Sequence, residues 1–179
     1  MLTITIPSQE LYDELREIFV ELKAVDLVLE HSLVSLSKWE SVWKKPFLTK
    51  ENKTREETLD YIRHMTITQN VHGSVYSRLT QENIDRVTDY IKDPMSATTF
   101  KEEKGRGSRE IVTAELIYYW MTAFQIPYEC QKWHLNRLLT LIRICNIKNQ
   151  PNKKQRSSDI LKQNHALNKA RRDKFNTSG

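Results

Sequence analysis

The sequence predicts a mainly helical α+β domain: about five to six helices, a small N-terminal antiparallel β-sheet and a basic helical C-terminal arm. Three observations lead there. Residues 2–6, LTITI, alternate in the manner of a short strand and stop at Pro7. Between residues 37 and 94, hydroxyl side chains stand three positions ahead of Glu or Asn, each followed by apolar residues at helical spacing. Residues 108–149 form the most apolar stretch of the chain, with Tyr118, Tyr119 and Trp120 in succession.

The N-terminal β element spans about residues 1–33. After LTITI, a Ser-Gln-Glu-Leu string fits either a short helix cap or a strand, while Ile18, Phe19, Val20 and Leu22 form a β-prone run and 25–30 alternate. The pattern predicts a small antiparallel sheet turning near Lys23 and Ala24. A first helix, SKWESVWKKP, is expected to start from a capping box of Ser37 and Glu40 and to end before Pro46. Trp39 and Trp43, four apart, share one of its faces. That pair fits core packing better than an exposed contact, although both readings stand. Thr54 and Glu57 form a second capping box ahead of Leu59, Ile62 and Met65. Residues 67–73 read as connecting chain. Thr80 caps a third helix, with Ile84, Val87 and Ile91 on one face and Pro94 at its end. The β-prone ATTF within 95–100 predicts a further strand.

Residues 101–109, KEEKGRGSR, read as a surface loop. Their two glycines lack Walker or dinucleotide spacing, so nucleotide binding is not indicated. Gly107, Ser108 and Glu110 then fit a helix start. Pro127 divides the apolar stretch into two helices, because proline lacks the N–H and biases Ile126 away from helical dihedrals; the second helix is expected to begin at that proline. This pair should supply most of the core.

The 179 residues suit one domain with an appended arm, 1–149 and 150–179. The charge is lopsided. Residues 148–179 hold nine Lys and Arg against two Asp, +7, so the whole-chain charge of +5 leaves −2 on residues 1–147. Cys130 and Cys145, the only cysteines, lie in apolar helical surroundings and read as reduced thiols of an intracellular protein. No apolar run approaches the roughly 20 residues a bilayer span needs, and no signal-peptide pattern opens the chain. A soluble protein made in a cytoplasm, without a membrane partner, is the expectation.

Chemistry finds no foothold in the spacing. His31, His64, His72, His134 and His165 occur singly, with no pair at metal-ligand spacing, and Glu115, Glu129 and His134 have no visible acid–base companion. No serine sits in a G-x-S-x-G elbow, and neither cysteine has a local activating group. The reading is a non-enzyme with no catalytic residue, metal or cofactor.

The arm can form a helix over SDILKQNHALNKARRDKF, but its apolar stripe is too sparse to hold that helix alone, so it should be mobile until it meets a partner. Leu161, Leu167 and Phe175 suggest protein docking. Lys153, Lys154, Arg156, Arg171 and Arg172 also suit nucleic acid. With Trp39 and Trp43, these residues are the candidate partner surface.

The strings LEHSLVSLSKWESVWKKPFL, AELIYYWM, IPYECQKWHLNRLLTLIRICN and ALNKARRDKFNTSG together resemble a family of small tailed-bacteriophage morphogenesis proteins, similar to the tail assembly chaperones of long-tailed phages. The resemblance spans most of the chain from about Leu29 to Gly179. It implies a non-enzymatic protein that holds aggregation-prone tail tube or tape measure subunits in the host cytoplasm and is absent from the finished particle, a class often made with a frameshifted longer form. It attaches no functional residue to these strings. Two alternatives stand beside it: a virion structural protein (head–tail connector, tail or baseplate component) docking or self-associating through its basic arm, and a nucleic-acid-binding phage regulator.

Overall fold

The computed structural model describes residues 1–13, 17–100, 110–149 and 157–175, and it has the predicted mainly helical α+β architecture. The chain divides into two compact units, Met1–Cys145 and Asn146–Gly179, so the first ends slightly earlier than residue 149.

The first unit opens with four short strands: β1 (Leu2–Ile6), β2 (Gln9–Asp13), β3 (Ile18–Leu22) and β4 (Val25–Leu29). β1 pairs antiparallel with β4, and β2 with β3. The register runs unbroken through both pairs. Ile6 faces Val25, and three residues further along each strand Gln9 faces Leu22. The four strands are therefore one long two-stranded ribbon with a gap at Pro7 and Ser8, where proline cannot donate to the ladder. Lys23 and Ala24, expected at a hairpin turn, instead lie opposite that gap and join β3 to β4. The ambiguity at residues 9–13 resolves as strand.

The inner half of the ribbon belongs to the core. Ile4, Ile6, Leu27 and Leu29 are fully buried, while Thr3, Thr5 and Asp26 between them face out. Helix α4 (Gln81–Lys92) packs along β1, and its Asn83 and Arg86 side chains donate to the Thr5 and Thr3 carbonyls at 3.3 and 3.0 Å. These bonds occupy acceptors that an open edge would expose. At the gap, one guanidinium nitrogen of Arg78 lies 3.1–3.3 Å from the carbonyls of Pro7, Leu22 and Lys23, spanning both strands.

Helix α1 (Leu33–Trp43) starts five residues earlier than expected. Ser32 is its N-cap, and the reciprocal capping box uses Ser35 rather than the predicted Ser37 and Glu40. Lys44 closes it in the left-handed conformation, two residues before Pro46. Helix α2 (Arg55–Met65) has the predicted box: Glu57 N–H donates to Thr54 Oγ1, and Thr54 N–H to Glu57 Oε2 at 2.8 Å. A one-turn helix, α3 (Ser74–Ser77), follows the connection, and α4 is capped by Thr80 as predicted. Residues 95–100 form no strand. They follow α4 as irregular chain, with Asp93 and Ser96 side chains accepting from the Met95 and Thr98 N–H groups.

The apolar stretch splits differently from its sequence reading. Helix α5 (Ala114–Ala123) begins at the Thr113 cap, leaving Glu110 outside the helix; Gly107 and Ser108 lie outside the described residues. The helix closes with Gln125 at φ 54°, Ile126 N–H bonded to Met121 O and Gln125 N–H to Thr122 O. This Schellman arrangement ordinarily favours glycine. Pro127 precedes a 3₁₀ turn (Tyr128–Lys132), and α6 (Leu135–Asn149) starts only after Trp133. The second helix is thus displaced from Pro127 by a compact turn. Ile117, Met121, Leu135 and Leu138 are fully buried, but so are Leu33, Leu36, Trp39 and Ile62. The core is therefore shared with α1, α2 and the ribbon. No described helix is long and apolar enough to cross a membrane.

The second unit contains helix α7 (Ser157–Phe175). Its described side chains, Leu161 and residues 164–175, are all exposed.

Candidate partner interface

Trp39 and Trp43 lie on one face of α1, with rings 6.0 Å apart and nearly parallel, but they have different roles. Trp39 is 1% exposed and its indole donates to the Glu57 carbonyl at 2.9 Å. It packs edge-on to Phe47 and Tyr61, which stack on one another. Burial removes Trp39 from the candidate partner surface. Trp43 is half-buried and donates to Asp60 Oδ2 at 2.8 Å, which fixes its ring at the edge of an open groove.

That groove, about 390 Å³, lies where α1, α2 and α3 meet. Val42, Trp43, Leu59 and Tyr76 supply apolar surface, and Glu56, Asp60 and Arg63 supply charge. Gly73 also borders it, in helical dihedrals, and a Cβ added there would meet nothing within 4 Å. The sequence pointed to Trp43 alone. Leu59 stands in the sequence only as one of the apolar residues after the Thr54 and Glu57 capping box, and Tyr76 sits in a one-turn helix without a side-chain cap.

Two carboxylates outside the groove lining, Glu57 and Glu40, tie neighbouring segments of this unit together. Glu57 accepts from Lys45 Nζ at 2.7 Å as well as from Thr54, and these bonds hold its carboxyl below the ordinary carboxylate range. Glu40 is buried and reaches away from its own helix: Oε1 accepts from Phe47 N–H at 2.8 Å, and Oε2 from Ala114 N–H at 2.7 Å. It therefore satisfies a free donor at the first turn of α5, where a negative group also suits the helix end.

Two histidines that the sequence shows as isolated meet inside the first unit. The His31 and His134 rings are 5.1 Å apart and nearly perpendicular. His31 Nδ1 is 2.6 Å from the Tyr61 hydroxyl. His134 stands just before α6: its Nδ1 accepts from Asn136 N–H, so the proton is on Nε2, which donates to the Tyr90 carbonyl at 3.0 Å. Burial, and after it the repulsion that arises when His134 is also protonated, pushes His31 down to about 3, and burial also lowers His134. Nearby, the Tyr90 hydroxyl donates to Glu30, which also pairs with the chain's amino terminus at 3.2 Å. Both rings serve as hydrogen-bonded packing: His31 beside Tyr61, His134 as a helix cap. Among the described residues, no group of three or more His, Cys, Asp or Glu is placed to hold a metal ion. Cys130 and Cys145 are free thiols.

The arm residues fall into two sets. Lys153, Lys154 and Arg156 lie outside the described residues. Leu161, Leu167, Arg171, Arg172 and Phe175 are on α7 and exposed, with Leu161 at 68% and Phe175 at 67%. No protein-family model, curated protein or solved structure matches the chain.

Proposed function

We propose that this chain is a non-enzymatic bacteriophage morphogenesis protein, a tail assembly chaperone that binds tail tube or tape measure subunits in the host cytoplasm. The observation that carries the reading is the state of α7. Leu161, Leu167 and Phe175 are exposed on a helix otherwise rich in cations. Helices in proteins are held chiefly by burying an apolar face, so these side chains are surface kept for another molecule. The groove beside Trp43 offers a second apolar contact with a charged rim. The cargo's identity rests on the resemblance of the four sequence strings to tailed-phage assembly proteins.

Co-expression tests this directly. Tail tube or tape measure subunits should become more soluble and co-purify with the chain, and an L161A/L167A/F175A variant should lose that effect. Mass spectrometry should find the chain missing from purified particles. Its presence there at fixed stoichiometry would instead make it a structural component. A salt-dependent shift of DNA, abolished in R171A/R172A with no effect on the subunits, would support the regulator.

A further inference from the structure

The outer half of the ribbon carries a face that the helical body does not use. In the register of β2 and β3, Glu10 is directly opposite Glu21 and Tyr12 directly opposite Phe19. Residues two apart on a strand project from the same side, so all four share one face. The two rings are in contact, 5.0 Å between centroids, yet Tyr12 is 52% and Phe19 72% exposed. Both glutamates are exposed as well. Like charges directly opposite one another weaken strand pairing, and an uncovered aromatic pair leaves apolar surface in water. A ligand with a cation one step away from an apolar side chain relieves both costs.

Helix α7 has that pattern. Leu167, Arg171 and Phe175 follow at intervals of four and share one helix face, and all three are exposed. The spacings agree: one interval of four along a helix advances about 6 Å, and two residues along an antiparallel strand advance about 6.8 Å. With Phe175 on the Tyr12 and Phe19 rings, the Arg171 guanidinium reaches the Glu10 and Glu21 carboxylates. The charge balance runs the same way, +7 on residues 148–179 against −2 on the rest.

We infer that the Glu10, Tyr12, Phe19 and Glu21 face is a docking surface for α7 of a second copy of this chain. The contact needs only the chain itself; because Leu167 and Phe175 also belong to the proposed cargo surface, self-docking and cargo capture compete for one helix face, and sedimentation of the chain without cargo reads the self-contact alone.

Sedimentation of the full chain tests it. Association should grow with concentration and weaken when salt rises from about 0.1 M to about 1 M, which shortens the screening length from about 10 Å to about 3 Å. E10K/E21K and R171E/R172E should each weaken self-association about tenfold. Mixing the two variants should restore it as a heterodimer, because the exchanged charges again face their opposites. R171E/R172E lies on an exposed helix, so it reads the same contact even if the ribbon variant perturbs folding. A chain that stays monomeric at every concentration, an association unchanged in both variants, or a mixture without recovery would each overturn the inference.

Discussion

The side chain of Glu40, in the last turn of α1, accepts a hydrogen bond from the backbone N–H of Ala114, 74 positions away at the start of α5. The same carboxyl group holds Phe47 N–H, so one buried residue joins a helix, the loop after it and the entry to the apolar second half. Replacing Glu40 with Ala orphans two N–H groups, at about 1–3 kcal/mol each. Glu40→Gln should recover only part of the loss, because its amide has one acceptor oxygen for two donors. Urea midpoints would measure this; an Ala variant as stable as the parent would sink the account.

The two tryptophans should separate under substitution. Trp39→Ala empties a fully buried site and should cost about 3–5 kcal/mol. Trp43→Ala should leave the fold largely intact and weaken cargo capture, since its ring borders the groove. Thermal unfolding and pull-down of the two variants side by side would decide; equal losses of stability would place Trp43 in the core as well.

Acid should destabilise the first unit before ordinary carboxylates begin to titrate. His31 has its pKa lowered from 6.5 to about 3, first by burial and then by His134, so the folded chain binds fewer protons there than the unfolded chain. Its contribution is complete above about pH 6.5 and is lost as pH falls toward 3, by up to about 1.4 kcal/mol per pH unit. The window from 6.5 down to about 5.5, a unit above the ordinary Glu value of 4.5, keeps the two buried histidines, His31 and His134, largely apart from the carboxylates. His31→Gln, which keeps an acceptor for the Tyr61 hydroxyl, should flatten stability against pH in that window. An unchanged slope would assign the effect elsewhere.

Gln125 holds a left-handed conformation that costs most residues about 1–2 kcal/mol. Gln125→Gly should therefore raise stability, by about 0.5–1 kcal/mol once the added freedom of the unfolded chain is counted. A lower melting temperature in that variant would show that the Gln125 side chain contributes something its geometry does not reveal.

These residues also mark where the sequence was readable. Thr54 and Glu57, or Ile4 and Ile6, act through neighbours within a few positions, and local spacing announced them. Glu40 had the right spacing from Ser37 to look like a capping partner, but its stronger opportunity lay 74 positions away, and Ser32 took the cap. The His31 and His134 pairing and the Trp43 groove depend on where separate elements are packed, which periodicity within one element does not encode. Thr113 was overlooked as a cap because Gly107 and Ser108 gave a stronger local signal a few residues earlier. The arm was legible in its composition, since charge density and sparse leucines need no tertiary context.

The clamp at the ribbon's gap has a bearing on how this protein can change. All three acceptors of Arg78 are main-chain carbonyls, of Pro7, Leu22 and Lys23, and a carbonyl survives replacement of the side chain beside it. Replacing side chains along the outer ribbon therefore leaves these acceptors in place, whereas replacing Arg78 removes all three contacts at once.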